Sequence, residues 1–346
     1  MLKNYHRDLS IIKLIIALVI FSLAVKINAQ ETPVLRFNSD GKFKIVQFTD
    51  VHLKVENQPR CDSVLNIMRM VIESEKPDLV VLTGDVATSE DVKEAWAAVS
   101  KPMREAGIPW AVAFGNHDHE HGYTNKQIMD YLTTLPLNLS KNGPPEIHGS
   151  GNYVLEIKDA KSSTTKTLLY FIDSNAYTPE KDNDELGHYD WIRFDQIQWY
   201  RNTSRAFTNQ NNNKPLPALA FFHIPFPEYS EIKKFTTTIG DMGENVASAK
   251  MNSGMYNAIY ECGDVMATFC GHDHNNNYIG TLNNIALAYG CKTGLDAYGR
   301  LDKGGRVIVL FEGERKFETW IHNVKDSDKY HVTYPDNFIK PGKKEN

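Results

Sequence analysis

A chain of 346 residues with 41% hydrophobic side chains can close one large core or two small ones, as an ordinary globular protein does. Its formal charge of −5 becomes −8 if residues 1–29 are removed, because these hold four cations (Lys3, Arg7, Lys13, Lys26) and one anion (Asp8). An acidic chain without a basic, aromatic-bearing stripe is a poor nonspecific nucleic-acid binder, so no nucleic-acid partner is expected.

At the start of the chain, Lys3, Arg7 and Lys13 precede an uncharged apolar run, Leu14 to Val25, and then the small-residue site Ile27-Asn28-Ala29. This is the pattern of a secretory signal peptide over 1–29, cut after Ala29, and it predicts a secreted or periplasmic protein without a stable membrane span. The competing reading is an uncleaved membrane anchor, but the run has only 12 residues against the roughly 20 a helix needs to cross a bilayer. Four cysteines (61, 262, 270 and 291) in an exported chain allow up to two disulfides. Cys270 lies in an apolar run and is expected to be a buried free thiol.

Residues 30–41 form an N-terminal extension, and from Lys42 short apolar runs alternate with helical stretches. FKIVQFT (43–49) predicts a strand, and 61–76 carries apolar residues at three- and four-residue spacing, which predicts a helix. LVVLTG, a helix over 90–107 and WAVAFG follow, then a helix over 124–134 and a loop containing Gly143-Pro144-Pro145. The second half is richer in strands: NYVLEIK, TLLYFIDS, ALAFFH, VMATFCG, IALAYG, GRVIVLF and KFETWIH, with helices near 195–205 and 253–261. Strand-helix alternation predicts βαβ units and sheets covered by helices. The polar stretches 209–214 and 226–252 are expected as surface loops, and the tail 324–346 as loosely attached.

Five polar clusters each fall at the C-terminal end of an apolar run: FTDVH (48–52), TGD (83–85), FGNHD (114–118), FFHIP (221–225) and FCGHDH (269–274). Ligands of open α/β sheets bind at that edge, so the five ends are expected to converge. Asp50 and His52 are two apart, as are His272 and His274, and in extended chain such pairs point to one side. The set of two Asp, one Asn and four His offers hard oxygen and imidazole, which suits Mn, Fe or Zn.

D-x-H, GD, GNHD, a lone histidine after an apolar strand, and GHxH, in this order, are the motifs of the calcineurin-like metallophosphoesterases. The chain resembles that family from about Phe43 to His322, and most of all its small purple-acid-phosphatase-like branch of plants and fungi. The resemblance implies an α/β fold, a four-layer α/β/β/α sandwich, over a domain spanning 42–323. It also implies two divalent or trivalent metal ions: Asp50, His52 and His274 on the first, Asn116, His223 and His272 on the second, and Asp85 bridging both. Hydroxide held between the metals would attack phosphorus, His117 would face the substrate as proton donor, and Asp118 would orient His117. Purple acid phosphatases proper have a metal-bound tyrosine where this chain has Thr88 and lack the histidine matching His52, so a purple tyrosinate-iron site is not expected.

Singly, His52, His223 or His274 is more often a hydrogen-bonded structural residue than a ligand. Seven potential ligands at strand ends in one recurring order are not explained that way. His119 and His121 are expected in a solvated loop, while His148, His188, Tyr123, Tyr229 and Tyr298 are candidates for the cleft wall. The expected function is metal-dependent phosphoester hydrolysis of a small substrate, first a phosphomonoester. The alternatives are a phosphodiesterase acting on nucleotides or lipid headgroups, and a noncatalytic metal- or phosphate-binding protein.

Overall fold

Strand β1 (Lys42–Phe48) is an apolar run buried along most of its length, as a central strand covered on both faces must be. The computed structural model describes residues 33–179, 185–235 and 238–338, so the expected signal peptide lies outside the described residues. The chain divides at Pro33, and the fold below is that of the unit beginning at Val34.

β1 pairs in parallel with β2 (Leu79–Thr83), which pairs in parallel with β3 (Trp110–Ala113). On its other side lies β10 (Gly304–Phe311), antiparallel, followed by β11 (Phe317–Asn323) and β12 (Lys329–Tyr334). The second sheet has the order β4-β5-β6-β7-β9-β8, with β4 (Tyr153–Lys158), β5 (Thr165–Phe171), β6 (Ala218–Phe221), β7 (Val265–Cys270), β8 (Ile279–Leu282) and β9 (Ile285–Tyr289). Strands β5, β6, β7 and β9 run parallel, so both sheets present carboxyl ends.

Side-chain alternation builds the layers. Leu169, Phe171, Leu219, Phe221 and Phe269 share a core with Val46, Phe48 and Val80 of the first sheet, whereas Leu168, Tyr170, Ala218 and Ala220 share one with the outer helices. Helix α1 (Gln58–Glu75) covers β1, β10 and β11 and packs on α2 (Val92–Ala106), beside which lies α3 (Asn125–Leu132). On the far face α4 (Phe194–Gln210) packs on α6 (Met255–Cys262), with the short α5 (Ile232–Phe235) near β8. Two six-stranded sheets between helical layers give the expected α/β/β/α sandwich. Asp91 caps α2 by accepting from the Glu94 amide, and Gly107 ends it in the left-handed region.

Several segments are tied down more firmly than their polarity suggests. In the extension, Leu35 and Phe37 are buried and Arg36 bridges to Lys158 at the edge of β4. Within 226–252, Phe226, Tyr229 and Ile232 are buried, and Ile239 pairs with Ile279 to cover the β8 edge. A few apolar anchors in a polar majority fix this stretch, which averaged polarity reads as surface loop. Residues 329–334, expected in a loose tail, form β12, where Val332 is buried and Tyr334 stacks on Phe317 at 4.9 Å. All four cysteines are free, so the possible disulfides are not formed, and Cys270 is buried as expected.

Replacing Tyr334 by Ala is expected to lower stability by roughly 3 kcal/mol, as removal of a buried aromatic ring does. Urea unfolding measures this, and an unmoved midpoint would mean that β12 adds nothing to the sheet.

Candidate metal centre

Each of the five polar clusters sits at the carboxyl end of a parallel strand: β1, β2 and β3 in one sheet, β6 and β7 in the other. The structure brings all five to one place between the sheets. Gln47 ties the strands together beneath it, donating to Thr83 Oγ1 (2.8 Å) and to the Cys270 carbonyl of the opposite sheet (3.0 Å). Leaving a strand at these points demands unusual backbone: Asp50, His52, Asp85 and His272 all have positive φ, between 43° and 79°. For residues with a Cβ such conformations cost about 1–3 kcal/mol each and persist where the surroundings impose them. Gly84 and Gly115 face each other here, and a Cβ on Gly84 would run into the His223 ring and the Gly115 backbone.

The side chains form two groups that share one residue. Asp50, His52, Asp85 and His274 place one donor atom each within 4.8 Å of one another, and so do Asp85, His223 and His272. In the first, His274 Nε2 is 3.2 Å from Asp50 Oδ1 and 3.3 Å from His52 Nε2, while His52 Nε2 is 3.6 Å from Asp85 Oδ2. In the second, His223 Nε2 is 3.1 Å from Asp85 Oδ2 and 3.3 Å from His272 Nδ1. Neighbouring ligands of one ion bonded at 2.0–2.2 Å are about 3 Å apart, so these spacings suit a shared cation. Among the donor residues, the buried Asn116 Oδ1 has no protein partner. A buried acceptor without a donor is costly, and a cation would satisfy it. The donor set therefore fits two metal ions.

Hydrogen bonds fix which imidazole atoms are available. His223 Nδ1 donates to the Thr83 carbonyl and His274 Nδ1 to the Tyr298 carbonyl, both at 2.8 Å, leaving Nε2 of each for the clusters. Asn116 Nδ2 donates to the Tyr177 hydroxyl at 2.8 Å, which turns its Oδ1 away from that contact. Burial would raise the Asp85 carboxyl, but the charge and hydrogen bond of His223 hold it well below the usual carboxylate range. The same pairing overcomes the effect of burial on His223, which is pushed up to about 10. Burial lowers His52 to about 4 and His272 to about 3.

Asp118 has a different task from the expected one. It is buried, and its oxygens accept from the backbone amides of Gly115, Asp85, Val86 and Ala87, at 2.8, 3.0, 2.8 and 3.2 Å. Burial, with the Asp85 charge nearby, raises it to about 6. It clamps the loops after β2 and β3, and the group that holds His117 is Glu120, whose Oε1 is 2.8 Å from His117 Nδ1. Sequence reasoning missed Glu120 and Tyr177. The first stands three residues after His117, a signal of sorts, whereas the second carries none. His117, Glu120, His121, Tyr189 and Tyr298 line the cleft, His119 is half-buried, and Tyr229 is fully buried beneath. His148 instead pairs with Asp195, and His188 packs on Tyr177 and Tyr189.

Residues 43–276 match the model of the calcineurin-like phosphoesterase family, and the chain belongs to that family. A relative from Arabidopsis thaliana, named Probable inactive purple acid phosphatase 29, is 34% identical over 342 residues, covering 88% of this chain and 87% of its own. Phosphatase DCR2 of Saccharomyces cerevisiae is 32% identical, over 83% of this chain and 54% of its own. Among solved structures, a dimetal phosphatase from Danio rerio is similar with a TM-score of 0.54 at 12% identity, over 84% of this chain and 98% of that one. A purple acid phosphatase from yellow lupin seeds matches with a TM-score of 0.53 at 13% identity, over 87% of this chain and 55% of that one. At such identities these two likenesses show the fold alone.

A charged His223 must lose its Nε2 proton to bind a metal. Its charged form persists below about 10, so loading the metal-free protein at about pH 8 is expected to release about one proton from this residue. A pH-indicator titration in weak buffer measures the release, which should be absent in His223→Asn.

Proposed function

We propose that the chain is a metal-dependent phosphoric ester hydrolase, acting first on small phosphomonoesters. The observation that carries this reading is the meeting of two donor groups at Asp85, with His117 lining the cleft over them. Asp50, His52, Asp85 and His274 would hold one ion, and Asp85, Asn116, His223 and His272 the other. Hard oxygen and imidazole donors suit Mn, Fe or Zn. When bound, two such ions lower the pKa of water and neutralise charge on phosphoryl oxygens.

The remaining work belongs to the chain. Asp85 accepts from the His117 amide at 2.8 Å, which fixes that loop against the donor groups. Glu120 holds His117 Nδ1 and leaves Nε2 to bond a phosphoryl oxygen or to protonate the leaving oxygen. The apolar run at 14–25 supports export, and among the described residues no helix is long and apolar enough to cross a membrane.

A second reading, a noncatalytic binder, draws on the names of three Arabidopsis relatives, each called a probable inactive purple acid phosphatase. Completeness of the donor set and of His117 supports catalysis instead. Protein reconstituted with Mn²⁺ or Zn²⁺ is expected to hydrolyse an activated aryl phosphate. His117→Ala should keep its metal by elemental analysis and lose about 10²–10⁴ in kcat. Activity undiminished in Asp85→Ala would sink the assignment.

A further inference from the structure

The cleft over the donor groups has a volume of about 450 Å³, more than a phosphoryl group fills, so the charges around it bear on what else enters. Its acids are matched: Glu120 contacts His117 at 2.8 Å, Asp296 pairs with Arg60 at 2.9 Å, and Asp273 accepts from the Tyr289 hydroxyl at 2.5 Å. Its ammonium is not. Lys54 is exposed, lines the cleft, and its ammonium has no ion pair or hydrogen bond among the described residues.

An independent observation lies beside it. Thr88 also lines the cleft, is 8% exposed, and its buried Oγ1 has no partner. Backbone pairing makes the two neighbours: Leu53 and Ala87 form a parallel bridge, and the Thr88 amide donates to the Leu53 carbonyl at 3.1 Å. Lys54 and Thr88 are each the residue after that bridge, on adjoining segments. An ammonium and a hydroxyl that line one cleft from adjoining segments, neither with a partner, are donors for an oxyanion.

We propose that Lys54 and Thr88 form an oxyanion subsite, apart from the two donor groups, that binds a second anionic group on the substrate's leaving alcohol. This rests on the phosphoester reading, since the donor groups and His117 take the phosphoryl end of the same molecule. The substrate class is then a phosphomonoester carrying a carboxylate or a further phosphate. The matched acids give a cationic leaving group no open partner, whereas an anionic one meets Lys54.

The test is calorimetric binding to the full metal-loaded protein of three phosphonates: propylphosphonate, phosphonopropionate and a propane bisphosphonate. The added anionic group is expected to tighten binding about tenfold, the worth of one charge-assisted hydrogen bond. That ratio should collapse to near unity in Lys54→Ala, persist in Lys54→Arg, and shrink in Thr88→Val. A gain for the carboxylate, the second phosphonate or both supports the subsite and shows which oxyanion it takes. A wild-type ratio near one for both, or a ratio that survives Lys54→Ala, overturns it. Hydrolysis of an activated aryl phosphate by the same metal-loaded protein, measured in parallel, separates the two readings. Intact ratios without turnover sink the phosphoesterase reading and keep the subsite, and turnover without the ratio sinks the subsite alone.

Discussion

Everything in the cleft depends on one buried carboxylate. Asp85 is within 3.1 Å of His223 and 3.6 Å of His52, and it accepts from the amide of His117. It thus joins both donor groups to His117, which lines the cleft. A carboxylate this deeply buried is stable only with cations or donors on every side, and Asp118 cannot share its charge because burial and Asp85 itself oppose ionisation there. The architecture resolves the conflict by giving the two acids different partners: imidazoles for Asp85, four backbone amides for Asp118.

Much of this was legible in the sequence because strand ends are easy to find and chemistry-bearing residues sit there. Period-two burial marks β4, and unbroken apolar runs mark β2, β3, β6 and β7. Each places the residues that follow at the carboxyl edge of its strand. The resemblance to the family supplied the division of ligands between the two groups; in the structure Asp50, His52 and His274 gather on one side of Asp85, and His223 and His272 gather with it as a second group. What was not legible depends on contacts distant in sequence. Tyr177 meets Asn116 across 61 residues, and nothing in the pattern around 177 marks it. Adjacency suggested that Asp118 would serve His117, but the tight loop turns neighbouring side chains apart and brings in Glu120 instead. In the polar stretch 226–252 and in the tail, averaged polarity hides the few apolar side chains, Phe226, Tyr229, Ile232 and Val332 among them, that anchor each segment.

The chain shares its fold with a purple acid phosphatase while departing from the motifs of the tyrosinate-bearing members at two positions, His52 and Thr88, the second with a hydroxyl buried without a partner. Thr88 lines the cleft, as Lys54 does. The same fold thus carries a different wall, and on a scaffold with a fixed floor the wall is where one family member differs from the next.

The floor joins two bodies. Its donors come from both sheets, Gln47 crosses from β1 to the end of β7, and His223 of one sheet donates to Thr83 of the other. Any sliding of one sheet over the other would pull these atoms out of register, so the site works as a rivet through the sandwich. A rivet carries shear in both directions: a load that displaces the helical layers reaches the donor atoms, and whatever fills the site stiffens a core that extends well beyond it.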